Sequence, residues 1–132
     1  METILTKAYG EIKVDENMKI YFKREILGFE EYREFYLIEM VDLPNFYWLQ
    51  CRTEPSLAFI VVDPRIFKPD YELKIDDIDK ELLEIDVGDE IIDLAIVNIP
   101  EDINRMTMNL LGPIVINATK KIAIQAISLN DY

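Results

Sequence analysis

The chain contains no histidine and only one cysteine, Cys51. Without histidine it lacks the usual general base near neutral pH, any Ser–His or Cys–His pair, and the commonest transition-metal ligand. A structural zinc site is excluded because such sites are built from sets of four Cys and His ligands. An intrachain disulfide is excluded as well, which fits a reducing compartment. Cys51 is interpreted as a small buried hydrophobic residue, the usual state of a free cysteine.

Sequence motifs for nucleophilic catalysis and nucleotide binding are also missing. Ser56 and Ser128 are the only serines, and neither lies in a G-x-S-x-G or S-x-x-K motif. Neither G-x-G-x-x-G nor G-x-x-x-x-G-K-[ST] occurs, which excludes the nucleotide-binding loops of those types. The acidic residues do not follow the EF-hand order, because a loop starting at Asp77 has Leu82 where the required glycine stands.

We therefore predict that the protein is not an enzyme and that it uses no cofactor and no metal ion. One enzymatic alternative stays open, a hydrolase that uses two carboxylates. Such a pair is formed in space rather than along the sequence, so a sequence pattern does not reveal it.

Long apolar runs are absent too. No run approaches the roughly 20 residues that a helix needs to cross a bilayer, and the N-terminus lacks the basic and apolar regions of a secretory signal. We expect a cytoplasmic protein that does not bind membranes. A length of 132 residues is close to the commonest domain size, so residues 1–132 are expected to form a single domain, with a monomer favoured.

Positive charge is scarce, with 14 Lys and Arg against 26 Asp and Glu and a net charge of −12. Nearly all of the excess lies between Asp70 and Asp102, where thirteen acidic residues accompany only Lys74 and Lys80. Such a segment repels phosphate backbones, so direct nucleic-acid binding is not expected. A basic protein partner is compatible with it. The alternative is that these acidic side chains only solvate one face of the protein.

Short apolar runs, rich in β-branched and aromatic residues and separated by Gly, Pro, Asn and Asp, recur along the chain. Short runs of this kind at intervals of about 10 residues are typical of an all-β sandwich or barrel. We predict an all-β, mainly antiparallel, compact β-barrel-like domain with one or two very short helices. The runs are Ile12–Val14, Met18–Phe22, Phe35–Ile38, Phe46–Leu49, Leu57–Val62, Ile91–Ile99, Met106–Leu111, Pro113–Asn117 and Ile122–Leu129.

The sequence predicts one short helix and a second candidate helical turn. Asp76 is a candidate N-cap, with Asp79 three residues later, and Ile78 and Leu82 would then share one face. The second candidate is 28–33. Each would be one to two turns long and would depend on tertiary packing.

Trp48 lies in an aromatic run flanked by turn residues. We interpret it as part of the core, because aromatic residues of a small β protein are mostly buried. The alternative is a role as a binding anchor, for which Trp and Tyr are the favoured residue types.

Six stretches, taken together, resemble the flagellar assembly factor FliW family. Their order and spacing agree with the family from about Tyr9 to Leu129. Two departures concern Lys23 and Leu27, which stand where the family usually carries prolines; a third is the lack of Gly after Lys120-Lys121. The chain also ends soon after the last predicted strand, without the tail of many members. The stretches are Leu27–Glu30, Phe46–Gln50, Pro55–Phe59, Val62–Pro64 with Pro69–Tyr71, Ile99–Asp102 and Asn109–Asn117.

The resemblance implies a compact antiparallel β-barrel and a non-catalytic role with two protein partners. FliW-like proteins bind flagellin in the cytoplasm, and they also bind CsrA, a translational regulator that represses flagellin synthesis on its mRNA. Once flagellin is exported, the released factor antagonises CsrA and translation resumes. The alternative is an acidic chaperone for a secreted flagellar subunit, without a CsrA role.

Two groups of residues are candidates for partner contact. The first belongs to the acidic segment, which would supply either the contact with CsrA or the repulsion of its RNA. The second is a turn between predicted strands, whose alternative is an ordinary connecting loop. The first group is Asp70, Tyr71, Asp76, Asp77, Asp79, Glu81 and Glu84; the second is Ile99, Pro100, Glu101, Asp102 and Ile103.

Overall fold

The computed structural model describes residues 1–24, 26, 28–41, 43–98 and 101–130. These residues form a separate two-stranded sheet and a closed seven-stranded barrel. The strands are β1 (Glu2–Thr6), β2 (Gly10–Val14), β3 (Lys19–Arg24), β4 (Glu34–Glu39), β5 (Phe46–Cys51), β6 (Ala58–Val62), β7 (Ile91–Asn98), β8 (Thr107–Asn117) and β9 (Ile122–Gln125). One α-helix, α1 (Asp77–Leu82), and 3-10 turns at Glu16–Met18, Pro64–Ile66 and Ile103–Arg105 complete the set. The predicted all-β barrel is confirmed.

The barrel runs in chain order from β3 to β9, and each consecutive pair of strands is antiparallel. The barrel closes where β3 meets β9 in parallel orientation. This closing seam is short: Tyr21 pairs with Ile122, Phe22 with Ala123, and Arg24 with Ile124, with a register shift before the last pair. The seam is therefore the point where the barrel changes from antiparallel to parallel pairing and where its register is interrupted.

Alternate residues of the strands point into the barrel and form its main core. Phe22, Phe35 and Leu49 are completely buried there, and the rings of Phe22 and Phe35 meet edge to face at 5.3 Å between centroids. Cys51 is buried in the same core, as predicted.

Trp48 is not a core residue, and the prediction that it belongs to the core is wrong. Because Leu49 and Cys51 point into the barrel, the alternation of β5 directs Trp48 to the outer face. It is half-buried there, and its indole N–H donates to the Tyr9 hydroxyl at 3.0 Å. The hydrogen-bond acceptor of the indole N–H thus lies in the turn between β1 and β2.

A second core lies outside the barrel, between its wall and the segment that contains α1. Val115 of β8 and Ile124 of β9 point outward into this second core and are fully buried against Ile75, Leu83 and Ala126. The second half of β8, residues 113–117, is therefore covered on both faces, which explains why this stretch is almost entirely apolar.

Helix α1 begins as predicted, since the Asp76 side chain accepts the Asp79 N–H at 2.9 Å. Of the two residues predicted to share one face, Leu82 packs against the second core, but the fully buried residues are others. Asp79 and Leu83 point inward, 2% and 0% exposed, whereas Ile78 is 65% exposed. The acidic residue Asp79 can occupy a buried position because a cation of the barrel lies next to it.

That cation is Arg24, the last residue of β3. Arg24 Nη1 lies 2.7 Å from Asp79 Oδ1, and Asp79 Oδ2 accepts the backbone N–H of Ile127 at 3.3 Å. Arg24 ends the seam on one side, and Ile127 follows β9 on the other. The carboxylate of Asp79 therefore bridges β3 and the segment after β9 at the point where the backbone pairing of the two strands stops.

The second candidate helix, 28–33, forms turns rather than a helix in its described residues. Phe29 N–H donates to Ile26 O at 2.9 Å, and Tyr32 N–H donates to Phe29 O at 3.1 Å. Gly28 has a φ of +91°, a conformation that interrupts a right-handed helix and that glycine adopts without strain.

The hairpin of β1 and β2 packs on the outside of the barrel. Ile4 and Thr6 of β1 are buried beneath it. Glu2 binds the Arg52 guanidinium through two nitrogens, with Nη2 at 2.7 Å and Nε at 2.9 Å, and this contact, together with the Tyr36 hydroxyl, lowers the pKa of Glu2 to about 2. An Arg–carboxylate fork fixes orientation as well as distance.

Replacing Asp79 with Ala should lower the free energy of unfolding by about 3 kcal/mol, because it leaves a partly buried arginine without its counter-charge and the Ile127 N–H without its acceptor. Urea denaturation of the two proteins measures the difference. The matched control is Asp77→Ala on the exposed side of the same helix, which should change stability by less than about 0.5 kcal/mol. Equal effects of the two substitutions would contradict the bridging role of Asp79.

Candidate protein-binding surface

The acidic segment between Asp70 and Asp102 supplies α1, the turns around it and strand β7. Much of its negative charge is compensated by cations from other parts of the chain. Glu84 pairs with Lys23 at 2.8 Å and Asp93 with Arg65 at 3.1 Å. Because those cations lie outside the segment, its net charge in the sequence overstates the charge it presents to a partner.

Lys120 has the largest share in this compensation. Its ammonium group lies 2.7 Å from Asp86 Oδ2 and 2.7 Å from Asp89 Oδ2. Asp89 also accepts the side-chain N–H of the buried Asn117 at 3.0 Å. The bonds from Lys120, the Asp86 backbone and Asn117 lower the pKa of Asp89 to about 2, and the two carboxylates raise the pKa of Lys120.

Lys120, Asp86, Asp89 and Asn117 form what we call the Lys120 cluster. This cluster attaches the segment after α1 to the turn between β8 and β9. Asn117, at the end of β8, completes the connection, because its side chain also donates to the carbonyl of Leu83 at 2.9 Å. These contacts hold the C-terminal end of α1 against the barrel. The exposed side of the helix is thereby held in one orientation.

Two residues of the predicted contact group are buried, and assigning them to a contact surface is wrong. Tyr71 is 3% exposed and its ring lies beneath the guanidinium of Arg65, 5.3 Å from ring centroid to Cζ. Asp79 is 2% exposed because it bridges the seam to Arg24. Neither side chain is accessible to a partner in the folded protein.

Three further residues of that group are exposed but already engaged. Asp70 pairs with Lys68 at 3.1 Å, and this cation lowers the pKa of Asp70. Asp76 caps α1. Glu84 pairs with Lys23, whose bond to the carboxylate is the main cause of a lowered Glu84 pKa.

Asp77 and Glu81 are the exposed acidic residues of the group that, within the part of the chain that the structure describes, neither form an ion pair nor cap the helix. They stand one helical turn apart on α1, so both project from the same side. Ile78, 65% exposed, follows Asp77 in the helix, and Ile85, 40% exposed and beyond the helix, lines an open cavity together with Glu81. We call these four residues, Asp77, Ile78, Glu81 and Ile85, the α1 surface.

The α1 surface combines negative charge with exposed apolar side chains. Such a combination suits a partner that carries both basic and apolar groups. The sequence indicates that the acidic residues are exposed. It does not indicate that the apolar ones are, since the helical spacing of Ile78 is that of a buried residue. The ion pair of Asp79 with Arg24 and the burial of Leu83 in the second core turn the side with Asp77 and Glu81 outward.

The second predicted contact group is a turn that precedes β8. Ile99 and Pro100 lie outside the described residues. Glu101 and Asp102 are exposed, and Asp102 Oδ1 accepts the N–H of Asn104 at 3.1 Å. The backbone of Ile103 begins the 3-10 turn Ile103–Arg105. The described part of this group is therefore a side-chain-capped turn.

Two carboxylates, Asp63 and Asp93, line one open cavity of about 590 Å³. Arg65 lies between them, and its guanidinium donates to Asp63 at 3.1 Å and to both oxygens of Asp93 at 3.1 Å. These bonds engage one oxygen of Asp63 and both oxygens of Asp93, so the two carboxylates serve as the counter-charges of Arg65. Among the described residues, no group of three or more Cys, Asp or Glu side chains is arranged to hold a metal ion.

Comparisons with known proteins agree with this fold over the whole chain. The sequence profile of the family described as "FliW protein" matches residues 3–132. The flagellar assembly factor FliW of Caldanaerobacter subterraneus subsp. tengcongensis is 44% identical over 128 residues, covering 96% of this chain and 85% of that protein. Its counterpart in Treponema pallidum is 38% identical over 122 residues, covering 92% of this chain and 81% of that protein.

A solved structure gives the same result. The crystal structure of a flagellar assembly factor FliW superimposes with a TM-score of 0.90 at 34% sequence identity, covering 98% of this chain and 90% of that one. In the part of the chain that is described here, no helix is long and apolar enough to cross a membrane.

The Lys120 cluster predicts a pH dependence of stability. The pKa of Asp89 is about 2 in the folded protein and 3.8 without its partners, so its contribution is present above about pH 4 and is lost as the pH falls through 2. Asp89→Asn should therefore lower the urea midpoint at pH 7, and the difference from the wild type should shrink toward pH 2. The exposed control Asp77→Asn should leave the urea midpoint at pH 7 close to that of the wild type. An effect of Asp89→Asn that is the same at every pH would contradict the role of the Lys120 cluster.

Proposed function

This chain belongs to the FliW family, and from that premise we propose that it is a cytoplasmic regulator that alternates between flagellin and the translational regulator CsrA. Membership of the family assigns the chain a role in flagellar assembly. The family consists of assembly factors, which confirms the prediction that the protein is not an enzyme. The proposal concerns the partners and the order in which they bind.

In the proposed cycle, flagellin that has not yet been exported occupies the protein. Export of flagellin releases the protein, which then binds CsrA and removes it from the flagellin mRNA. Translation of flagellin resumes until the new flagellin recaptures the protein. The mechanism consists of binding alone, and it needs neither a metal ion nor a cofactor.

The observation that supports contact with CsrA is the α1 surface. CsrA has to present basic groups to RNA, and the unpaired carboxylates of Asp77 and Glu81 offer a complementary charge. Ile78 and Ile85 add apolar area that charge alone does not provide. The net charge of −12 also opposes direct binding of this chain to RNA, so we propose that the protein acts on the RNA-binding partner.

The structure narrows the residues on which this proposal depends. Asp77 and Glu81 form its centre, and the exposed Asp70, Asp76 and Glu84 lie in the same acidic segment. The turn with Glu101 and Asp102 remains our second choice for a partner contact, because both residues are exposed.

The double substitution Asp77→Asn with Glu81→Gln should weaken the binding of CsrA roughly fivefold to tenfold at low salt, the effect of about 1 kcal/mol. Removal of the charges should also flatten the salt dependence, because screening acts on these charges in the wild type. Calorimetric titration at two salt concentrations measures both effects.

The matched control for this experiment removes two exposed acidic residues outside the segment, by Glu16→Gln with Glu31→Gln. It changes the net charge equally and should bind CsrA within about twofold of the wild type, since long-range effects of exposed charges are screened. Equal weakening by both double variants would mean that only net charge matters, and it would contradict a contact at the α1 surface.

Affinity capture from a lysate of flagellated cells, with and without added flagellin, distinguishes the proposal from a chaperone without a CsrA role. The two-partner proposal predicts that CsrA is captured from the lysate without added flagellin and is lost when flagellin is added. Capture of flagellin under both conditions, with CsrA never present, would favour the chaperone. Capture of neither protein would contradict both.

A further inference from the structure

The β1–β2 hairpin contacts the barrel through β1 and the turn. Glu2 binds Arg52, the Lys7 N–H donates to Pro55 O at 3.0 Å, and the Tyr9 hydroxyl accepts from Trp48. Among the described residues, β2 makes no hydrogen bond or ion pair with the barrel. Ile4 beneath β1 is 4% exposed, whereas the β2 residues are half-buried or exposed. Strand β2 therefore lies on the side of the hairpin away from the barrel.

The outer edge of β2 is unpaired. In the part of the chain that the structure describes, β2 pairs with β1 alone, in the register that places Ile4 opposite Ile12. Its other edge presents a row of N–H and C=O groups over Gly10–Val14. An exposed edge of this kind is a template for a further strand.

The side chains of β2 are complementary to a second copy of β2. Glu11 and Lys13 are exposed, lie on the same face, and stand on either side of Ile12. Within the described residues, neither takes part in an ion pair. If two β2 strands pair antiparallel with Ile12 opposite Ile12, each Glu11 stands directly opposite Lys13 of the second copy. Opposite charges in that position stabilise strand pairing.

The same charges disfavour the neighbouring registers. A two-fold axis normal to the sheet keeps every residue on its own face, so the register can shift only by two residues. A shift in one direction places Glu11 opposite Glu11 of the second copy. A shift in the other direction places Lys13 opposite Lys13 and Glu11 opposite Asp15. Like charges directly opposite each other are destabilising, so one register is selected.

The opposite face of the hairpin favours the same register. Ile4 is paired with Ile12 within one copy, and Ile12 is only half-buried at the edge. Antiparallel pairing about Ile12 joins the two hairpins into one row of four isoleucines across four strands. This row would cover the exposed part of each Ile12 side chain, which adds apolar burial to the two ion pairs.

From these observations we propose that β2 is a self-association edge, through which two copies of this chain form a continuous four-stranded antiparallel sheet. Two five-residue strands bury much less surface than the roughly 1,200 Å² of a stable interface. The dimer is therefore weak and reversible. It forms at high protein concentration, and the monomer expected from the sequence prevails on dilution. This inference does not depend on the proposed partners.

Sedimentation equilibrium over a wide concentration range tests the proposal with charge-reversal variants. The wild type should dimerise with a dissociation constant of roughly 0.1–1 mM, within the range of weak contacts. Glu11→Lys and Lys13→Glu should each weaken the dimer by about tenfold or more, because each places like charges opposite each other twice. The double variant E11K/K13E restores opposite pairs and should recover the wild-type dissociation constant.

Mixing the two single variants gives the matched control. In a mixed pair every opposing charge is of opposite sign, so an equimolar mixture of E11K and K13E should associate more tightly than either variant alone. Both substitutions leave the hairpin intact, since Glu11 faces Leu5 and Lys13 faces Thr3 within one copy. The urea midpoint of each variant verifies this.

Three outcomes would overturn the proposal. The first is a wild type that stays monomeric at millimolar concentration. The second is a dimer whose dissociation constant is the same for the wild type and both single variants, which would place the interface elsewhere. The third is a correctly folded double variant that dimerises as poorly as the single variants, because the complementary register would then have no role.

Discussion

The fold depends on closing the barrel between β3 and β9. The seam combines three residue pairs with a register shift, and it is the parallel contact in an otherwise antiparallel barrel. Where the two strands separate, Asp79 accepts a bond from Ile127 and pairs with Arg24. A buried carboxylate is costly unless it is paired and hydrogen-bonded, and here both conditions are met. The Asp79 side chain thus connects the two segments where the backbone hydrogen bonds between β3 and β9 have ended.

The same contact of Asp79 determines which residues of α1 are exposed to solvent. Because Asp79 and Leu83 face the barrel, Asp77, Ile78 and Glu81 face outward. The Lys120 cluster then holds the chain after α1 to the turn between β8 and β9. Most acidic residues near α1 thereby serve structure, as a cap or as members of ion pairs. The few that remain unpaired are concentrated on one side of the helix, where they are accessible to a basic partner.

The sequence predicted the class of fold, the start of α1 and the burial of Cys51, since those depend on local pattern. It did not predict the buried face of α1, because the position of Arg24 relative to Asp79 follows from barrel closure between residues far apart in the chain. The same holds for Trp48, whose direction depends on the phase of β5. Thirteen acidic residues in one segment predicted an acidic face, and the compensating Lys23, Arg65 and Lys120 come from elsewhere in the chain.

We propose that the short helix α1 uses Asp79 to close the barrel and its opposite side to contact CsrA. Amide chemical shifts of the isotope-labelled protein, titrated with unlabelled CsrA, test it most directly. The account predicts that the largest changes cluster at Asp77, Ile78, Glu81 and Ile85, while the amide of Ile127 at the seam stays unperturbed. Changes that cluster on the far side of the barrel and leave α1 unaffected would contradict it.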